Sequence, residues 1–287
     1  MNRAQEDRIA QKEKQDRQIK DSLAKIGHTI LVMSGKGGVG KSSIAVNIAA
    51  ALAEEGFRVG LMDVDIHGPS IPQMLGIPVV QEMETPPDGE DAEKAVTFHD
   101  NRIFPAHYSD KLSVVSIECM LESRDTAVIW RGPLKIGVIR QFFSEVEWGE
   151  LDYLVIDSPP GTGDEPLTVA QTVPDASALI VTTPQRVSLR DVRKSINFCR
   201  QVNLNISGLV ENLSGFYCPG CNKQIDLFKT GGGEQTAREM NVPFLGSLPI
   251  FPAMVEACDE GVPGISKSKT IKESFAPIVE KIREKME

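Results

Sequence analysis

The stretch Gly35-Lys36-Gly37-Gly38-Val39-Gly40-Lys41-Ser42 carries the most specific chemical pattern in the chain. It fits G-x-x-x-x-G-K-[ST], and it lies between an apolar run, His28–Met33, and an Ala-rich segment, Lys41–Glu55. A strand before and a helix after are the setting that gives this pattern its meaning. Glycines let backbone N–H groups turn inward around phosphate oxygens, and a helix N-terminus adds partial positive charge. Lys41 brings a point charge to β- and γ-phosphates, and Ser42 brings a hydroxyl ligand for Mg²⁺. With Ser43 completing the first turn, Gly35 to Ser43 is the expected ATP-binding stretch.

Two acidic stations complete such a site. Leu61-Met62-Asp63-Val64-Asp65 closes one apolar run, and Leu154-Val155-Ile156-Asp157 closes another. An acid at the carboxyl end of a buried parallel strand faces the ligand crevice. Asp157 suits a residue that holds magnesium through water. Helix capping would account for one of these acids, and poorly for all three. Ser158-Pro159-Pro160-Gly161-Thr162-Gly163-Asp164 follows as an expected switch loop that reports the γ-phosphate.

A second centre is marked by Cys218-Pro219-Gly220-Cys221. C-x-x-C alone fits a redox dithiol, half of a zinc site or half of an iron–sulfur site. The pair lies late in the chain, unlike a thioredoxin-type pair, and it offers only two of the four thiolates of a closed site. A symmetric dimer would supply the other two. The remaining cysteines read as core fillers. Cys119 alternates with Val115, Ile117 and Leu121 like one strand face, Cys199 shares a helical stripe with Val192 and Ile196, and Cys258 follows Met254 by four. His28, His67, His99 and His107 show no ligand spacing.

These residues need elements to hold them. Strands are expected at His28–Met33, Arg58–Asp63, Tyr153–Asp157, Ala178–Thr182, Ile206–Val210 and Leu245–Leu248, with two short ones flanking Tyr108–Lys111. Helices are expected at Lys41–Glu55, Leu134–Val146, Leu189–Val202 and Ile271–Lys285. This alternation predicts an α/β fold, a mostly parallel sheet covered by helices on both faces. Residues 1–26 are rich in charge, with Ile19, Leu23 and Ile26 at helical spacing, and predict a solvated helical extension docked by its last turns. Residues 27–287 read as one domain, with an irregular excursion at 78–101 and a cysteine-bearing loop at 213–232.

Composition narrows the partners. The 287 residues include 31 Lys and Arg against 40 Asp and Glu, a net charge of −9. That balance opposes standing affinity for nucleic acid or an anionic membrane. No apolar run reaches the roughly 18 residues that span a bilayer, and the start has no signal-peptide core. Five cysteines without an export signal read as reduced thiols, so a cytoplasmic protein is expected.

Lys36 stands where an ordinary phosphate loop requires no charge. With it, the loop resembles the deviant Walker A, K-G-G-x-G-K-[ST], of the MinD/ParA/nitrogenase-iron-protein class. The resemblance implies a homodimer in which Lys36 reaches the phosphates of the partner subunit. It also implies that Asp65 orients the attacking water and that Asp63 supports the magnesium.

From about residue 25 onward the chain is similar to the Mrp/ApbC-type iron–sulfur carrier ATPases. The similarity rests on K-G-G-V-G-K-S, Asp63 through Ser70, Trp130-Arg131-Gly132-Pro133, Asp157 through Asp164, Thr183-Pro184-Gln185 and Glu211-Asn212-Leu213-Ser214. It implies that Cys218 and Cys221 of two chains bridge one [4Fe–4S] cluster, delivered to apo iron–sulfur proteins, and that Asn212 and the Pro249 turn contact adenine. The first cysteine is Cys119, so the N-terminal four-cysteine cluster of one branch of that family has no counterpart. His67 stands where those proteins usually have tyrosine. A ParA/MinD-like positioning ATPase would share the nucleotide site, but would need a basic DNA face or a membrane-seeking terminal helix.

Overall fold

Runs rich in Val, Ile and Leu form strands here because helices cover the sheet on both faces, leaving no wet side that would demand alternation. The computed structural model describes residues 3–78, 94–100, 102–120, 132–218, 220–221 and 223–286. In chain order the strands are β1 (Ile26–Ser34), β2 (Val59–Asp63), β3 (Thr97–His99), β4 (Arg102–Phe104), β5 (Ala106–Ser109), β6 (Leu112–Ser116), β7 (Leu151–Asp157), β8 (Ser177–Thr182), β9 (Asn205–Glu211), β10 (Phe216–Tyr217), β11 (Gln224–Ile225) and β12 (Phe244–Ser247). Every residue of β2 and of β8 is buried.

Among the described residues, one sheet of eight strands has the order β12-β9-β8-β1-β7-β2-β6-β5. Its ladders are parallel except for β5, which returns antiparallel along β6. β1 sits in the middle between β7 and β8. The register sets the acids side by side: Asp157 lies opposite Val32 of β1 and Asp63 of β2, and Ser116 lies opposite Asp63. Farther along the same carboxyl edge, Glu211 is level with Thr182.

Helix Lys41–Glu54 packs under the centre of the sheet. Its alanines let the helix approach closely, and Ile44, Ile48 and Leu52 are fully enclosed. The closing helix, Lys269–Met286, buries Ile271, Phe275, Ile278 and Ile282, the stripe legible in the sequence. The N-terminal helix, Arg3–Leu23, lies against helix Gly132–Glu145. Ile19 is buried there, and Arg140 bonds Gln15 and pairs with Asp16.

Three expectations change. Ile26 belongs to β1, paired with Leu151, and not to the preceding helix. Cys119 is buried as expected, but β6 stops at Ser116 and Cys119 lies in a 3₁₀ turn, Ile117–Met120. The Ser116 hydroxyl accepts the Glu118 N–H and turns the chain, so the apolar spacing there came from the turn. Cys258 is half-buried rather than core. Of the 78–101 excursion, residues 79–93 and 101 lie outside the described residues, as do Trp130 and Arg131; Thr97–His99 forms a hairpin with Arg102–Phe104.

Candidate functional site

β1 ends at Ser34, and Gly35 to Gly40 loops back into helix Lys41–Glu54. Gly35 has no room for a side chain: an added Cβ would lie 2.4 Å from the Asp191 carbonyl carbon. Gly38 and Gly40 take φ of 77° and 82°, the left-handed region that favours glycine. An added Cβ at Gly40 would also lie 2.2 Å from Asn212 Nδ2. That same nitrogen donates to the Val39 carbonyl at 2.9 Å, so Asn212 braces the loop from β9. Pro249 is half-buried just beyond β12, on the same edge of the sheet.

Behind the loop, one ammonium faces three carboxylates. Lys41 Nζ donates to Asp157 Oδ1 at 2.5 Å and lies 3.5 Å from Asp65 Oδ2. Ser42 Oγ donates to the second oxygen of Asp157 at 2.5 Å. Asp63 and Asp157 are completely buried. Burial raises the Asp63 carboxyl to about 7, with the Asp157 charge adding to the effect and Lys41 opposing it. Burial likewise pushes Asp157 upward against the pull of Lys41. The set is short of positive charge, which suits a divalent cation. Among the described residues no three His, Cys, Asp or Glu side chains converge to hold a metal by themselves.

Asp63 is engaged with its own loop. Its carboxylate accepts the N–H groups of Asp65, Ser70 and Ile71 and the hydroxyl of Ser116. It therefore organises the loop that carries Asp65, whose Oδ1 in turn accepts the His67 N–H. Lys135 was not flagged by spacing, yet its Nζ lies 2.8 Å from Glu165 and 3.1 Å from His67 Nε2. It ties this loop to helix Asp164–Thr172, which opens directly after the Ser158–Gly163 turn. Lys36 is exposed on the phosphate loop.

The thiol pair stands on the same sheet edge. The chain leaves β9 at Asn212, forms the short β10–β11 hairpin and re-enters at helix Gly232–Glu239. Cys218 is half-buried and Cys221 exposed. Backbone N–H groups of Gly220 and Cys221 lower the Cys218 thiol below its usual range, favouring the thiolate that binds soft metals. By contrast, burial pushes Cys199 up to about 12, so that thiol stays protonated.

A family model described as NUBPL iron-transfer P-loop NTPase matches residues 25–284. The chain belongs to this family. Within it, the chain is 48% identical over 274 residues to an iron–sulfur cluster carrier protein of Methanocaldococcus jannaschii, covering 95% of this chain and 90% of that protein. It is 44% identical over 274 residues to the cytosolic Fe–S cluster assembly factor CFD1 of Saccharomyces cerevisiae, covering 92% and 89%. A solved nucleotide-binding protein of Archaeoglobus fulgidus, in complex with ADP, superposes with a TM-score of 0.73 at 36% identity, covering 90% of this chain and 96% of that one. The cell-division ATPase MinD of Pyrococcus furiosus shares the fold, with a TM-score of 0.58 at 24% identity over 90% and 99% of the two chains. The expected Mrp/ApbC-type membership and the MinD-like parallel sheet both hold. So does nucleotide binding as the family's common property.

Proposed function

We propose that the chain binds and slowly hydrolyses MgATP and, as a homodimer, holds a [4Fe–4S] cluster that it passes to apo iron–sulfur proteins. One observation carries the reading. A pair of accessible thiols, one biased toward thiolate, stands on the sheet edge that also bears the phosphate loop. Two thiols per chain make half of a four-thiolate set, and a second copy of the chain supplies the rest. The relatives' names, a carrier and an assembly factor, agree with that chemistry.

In this reading the loop from Gly35 to Ser43 wraps the phosphates, and Lys41 turns from Asp157 toward them. Magnesium neutralises charge on the β- and γ-phosphates; Ser42 and Asp157 would hold it, with Asp63 contributing through the loop it anchors. Asn212 and Pro249 flank the adenine. Asp65, 8% exposed and fixed by Asp63, orients the attacking water. Lys36 reaches the partner's phosphates. Asp65→Ala is expected to keep ATP binding and to lose turnover by about 10²-fold or more, the usual worth of a positioned acid–base group. Phosphate release and nucleotide retention, measured on one sample, check this. Hydrolysis at the wild-type rate would move the role elsewhere.

A membrane-attached positioning ATPase is disfavoured by the terminal helix, whose apolar stripe is spent on the core. Anaerobic reconstitution with iron and sulfide tests carriage directly. One four-iron unit per dimer is expected, followed by activation of an apo-acceptor. Protein that stays iron-free under those conditions would refute the reading.

A further inference from the structure

Glu211 closes β9 completely buried, and neither the phosphates nor the thiols need it. Its carboxylate is spent on the two ends of the cysteine-bearing loop. Oε1 accepts the Ser214 hydroxyl at 2.5 Å and the Gly231 N–H at 2.9 Å, while Oε2 accepts the Gly233 N–H. The loop leaves the sheet and returns to it on one side chain. A buried carboxylate is costly unless its oxygens are paired. Here the donors include the first turn of helix Gly232–Glu239, where the backbone dipole favours an anion. The fit is close: an added Cβ at Gly233 would lie 2.9 Å from the Glu211 Cβ.

The next residue faces the other centre, because Asn212 holds the phosphate loop at Val39 and fills the space over Gly40. Leu213 then takes φ of 56°, a conformation that L side chains rarely adopt. The backbone beside it is fixed, since the Asn212 N–H donates to Thr182 and the Leu248 N–H donates to Glu211, each at 2.8 Å. Movement of the Asn212 side chain therefore meets a rigid strand behind it and a strained joint ahead of it. Beyond the joint, Ser214 is held by Glu211.

We propose that Glu211 is a positioning residue that seats the cysteine-bearing loop, and that occupation of the phosphate loop is relayed through Asn212, Leu213 and Glu211 to the reach of Cys218 and Cys221. The proposal rests on the nucleotide reading above, and not on what the thiols carry. Coupling of this kind is reciprocal: nucleotide alters the affinity of the thiols for a bound group, and that group alters nucleotide affinity by the same factor.

The test uses full-length, reduced, cluster-free protein and N-ethylmaleimide, with and without Mg²⁺ and a non-hydrolysable ATP analogue. Peptide mass spectrometry reads the label at each cysteine. In the wild type, rates at Cys218 and Cys221 differ at least about fivefold between the two conditions, the lower end of ordinary coupling between sites. In Glu211→Gln, which keeps the shape but sets an amide donor against N–H groups, the two conditions give equal rates while calorimetry still shows analogue binding. Buried Cys119 and Cys199 stay unlabelled if the fold is intact. If they react in that variant, Ser214→Ala replaces it, losing the hydroxyl arm alone and weakening the nucleotide response. A full response in either folded variant overturns the proposal, as do nucleotide-insensitive thiols in wild-type protein that binds the analogue. Wild type that loads iron but shows no response defeats the relay and leaves carriage standing. A response in protein that never binds iron supports the relay and defeats carriage.

Discussion

Lys41→Ala is expected to abolish MgATP binding, with affinity falling by at least about a hundredfold, or roughly 2.7 kcal/mol. The size of the effect follows from the surroundings of Lys41. The residue is 6% exposed, and its ammonium lies 2.5 Å from Asp157 and 3.5 Å from Asp65, with fully buried Asp63 beyond. Among the described residues no other cation pairs with these acids. Removing it takes away a phosphate contact and also leaves three carboxylates facing an anionic ligand. Breaking one partner out of a buried ion pair typically costs about 3–5 kcal/mol, so the variant should also unfold at a lower temperature. Calorimetric titration on protein with an unchanged far-ultraviolet spectrum checks the prediction. Affinity within about tenfold of wild type, some 1.4 kcal/mol, would overturn the assignment of Lys41 as the phosphate-binding lysine.

The second large effect concerns the thiols. Cys218→Ala and Cys221→Ala should each eliminate the brown chromophore of reconstituted protein and its transfer to an apo-acceptor. Each thiolate is one of four ligands, and losing it opens the site on both chains of a symmetric dimer. Fold and nucleotide binding should survive. The hairpin adds little to the core, since Tyr217 and Leu227 are 50% and 57% exposed. Among the described residues, the Glu211–Asn212 corner links it to the nucleotide loop. A zinc-holding dimer would be colourless, with metal–sulfur distances of about 2.3 Å in X-ray absorption. Iron content equal to wild type in both variants would end the carrier reading.

The nucleotide loop was legible because glycine, lysine and serine at fixed spacing answer to one ligand and one backbone path. The parallel strands were legible because covered strands need unbroken apolar runs; Ala178–Thr182 was expected and Ser177–Thr182 found. Asp63 shows what spacing does not carry. Its place after an apolar run put it at the ligand crevice, but did not show that its oxygens accept the N–H groups of the chain's own next turn. Glu211 was visible only as part of a motif. Nothing in its neighbours announces bonds to Gly231 and Gly233, because those partners lie across a loop of twenty residues. Lys135 escaped for the same reason, since its contacts depend on how two helices meet. Cys119 shows a period misread: three apolar residues at alternate positions also fit a strand that ends in a tight turn.

The sheet order has a consequence for how the protein is made. β1, which delivers the phosphate loop, pairs with neither of the strands nearest it in sequence. Its partners are β7 and β8, as in Ile26 with Leu151 and Ile30 with Ser177. At about 5–20 residues per second, a ribosome spends roughly 7–30 s between completing β1 and supplying both neighbours. Through that interval β1 is an apolar ribbon with two open edges, the kind of surface that chaperones hold and that other chains can capture. ATP cannot template the early chain, because its loop has no sheet to stand on until β8 arrives. Substitutions that slow the docking of β7 or β8 should therefore cost yield in the cell well before they cost activity in the purified protein.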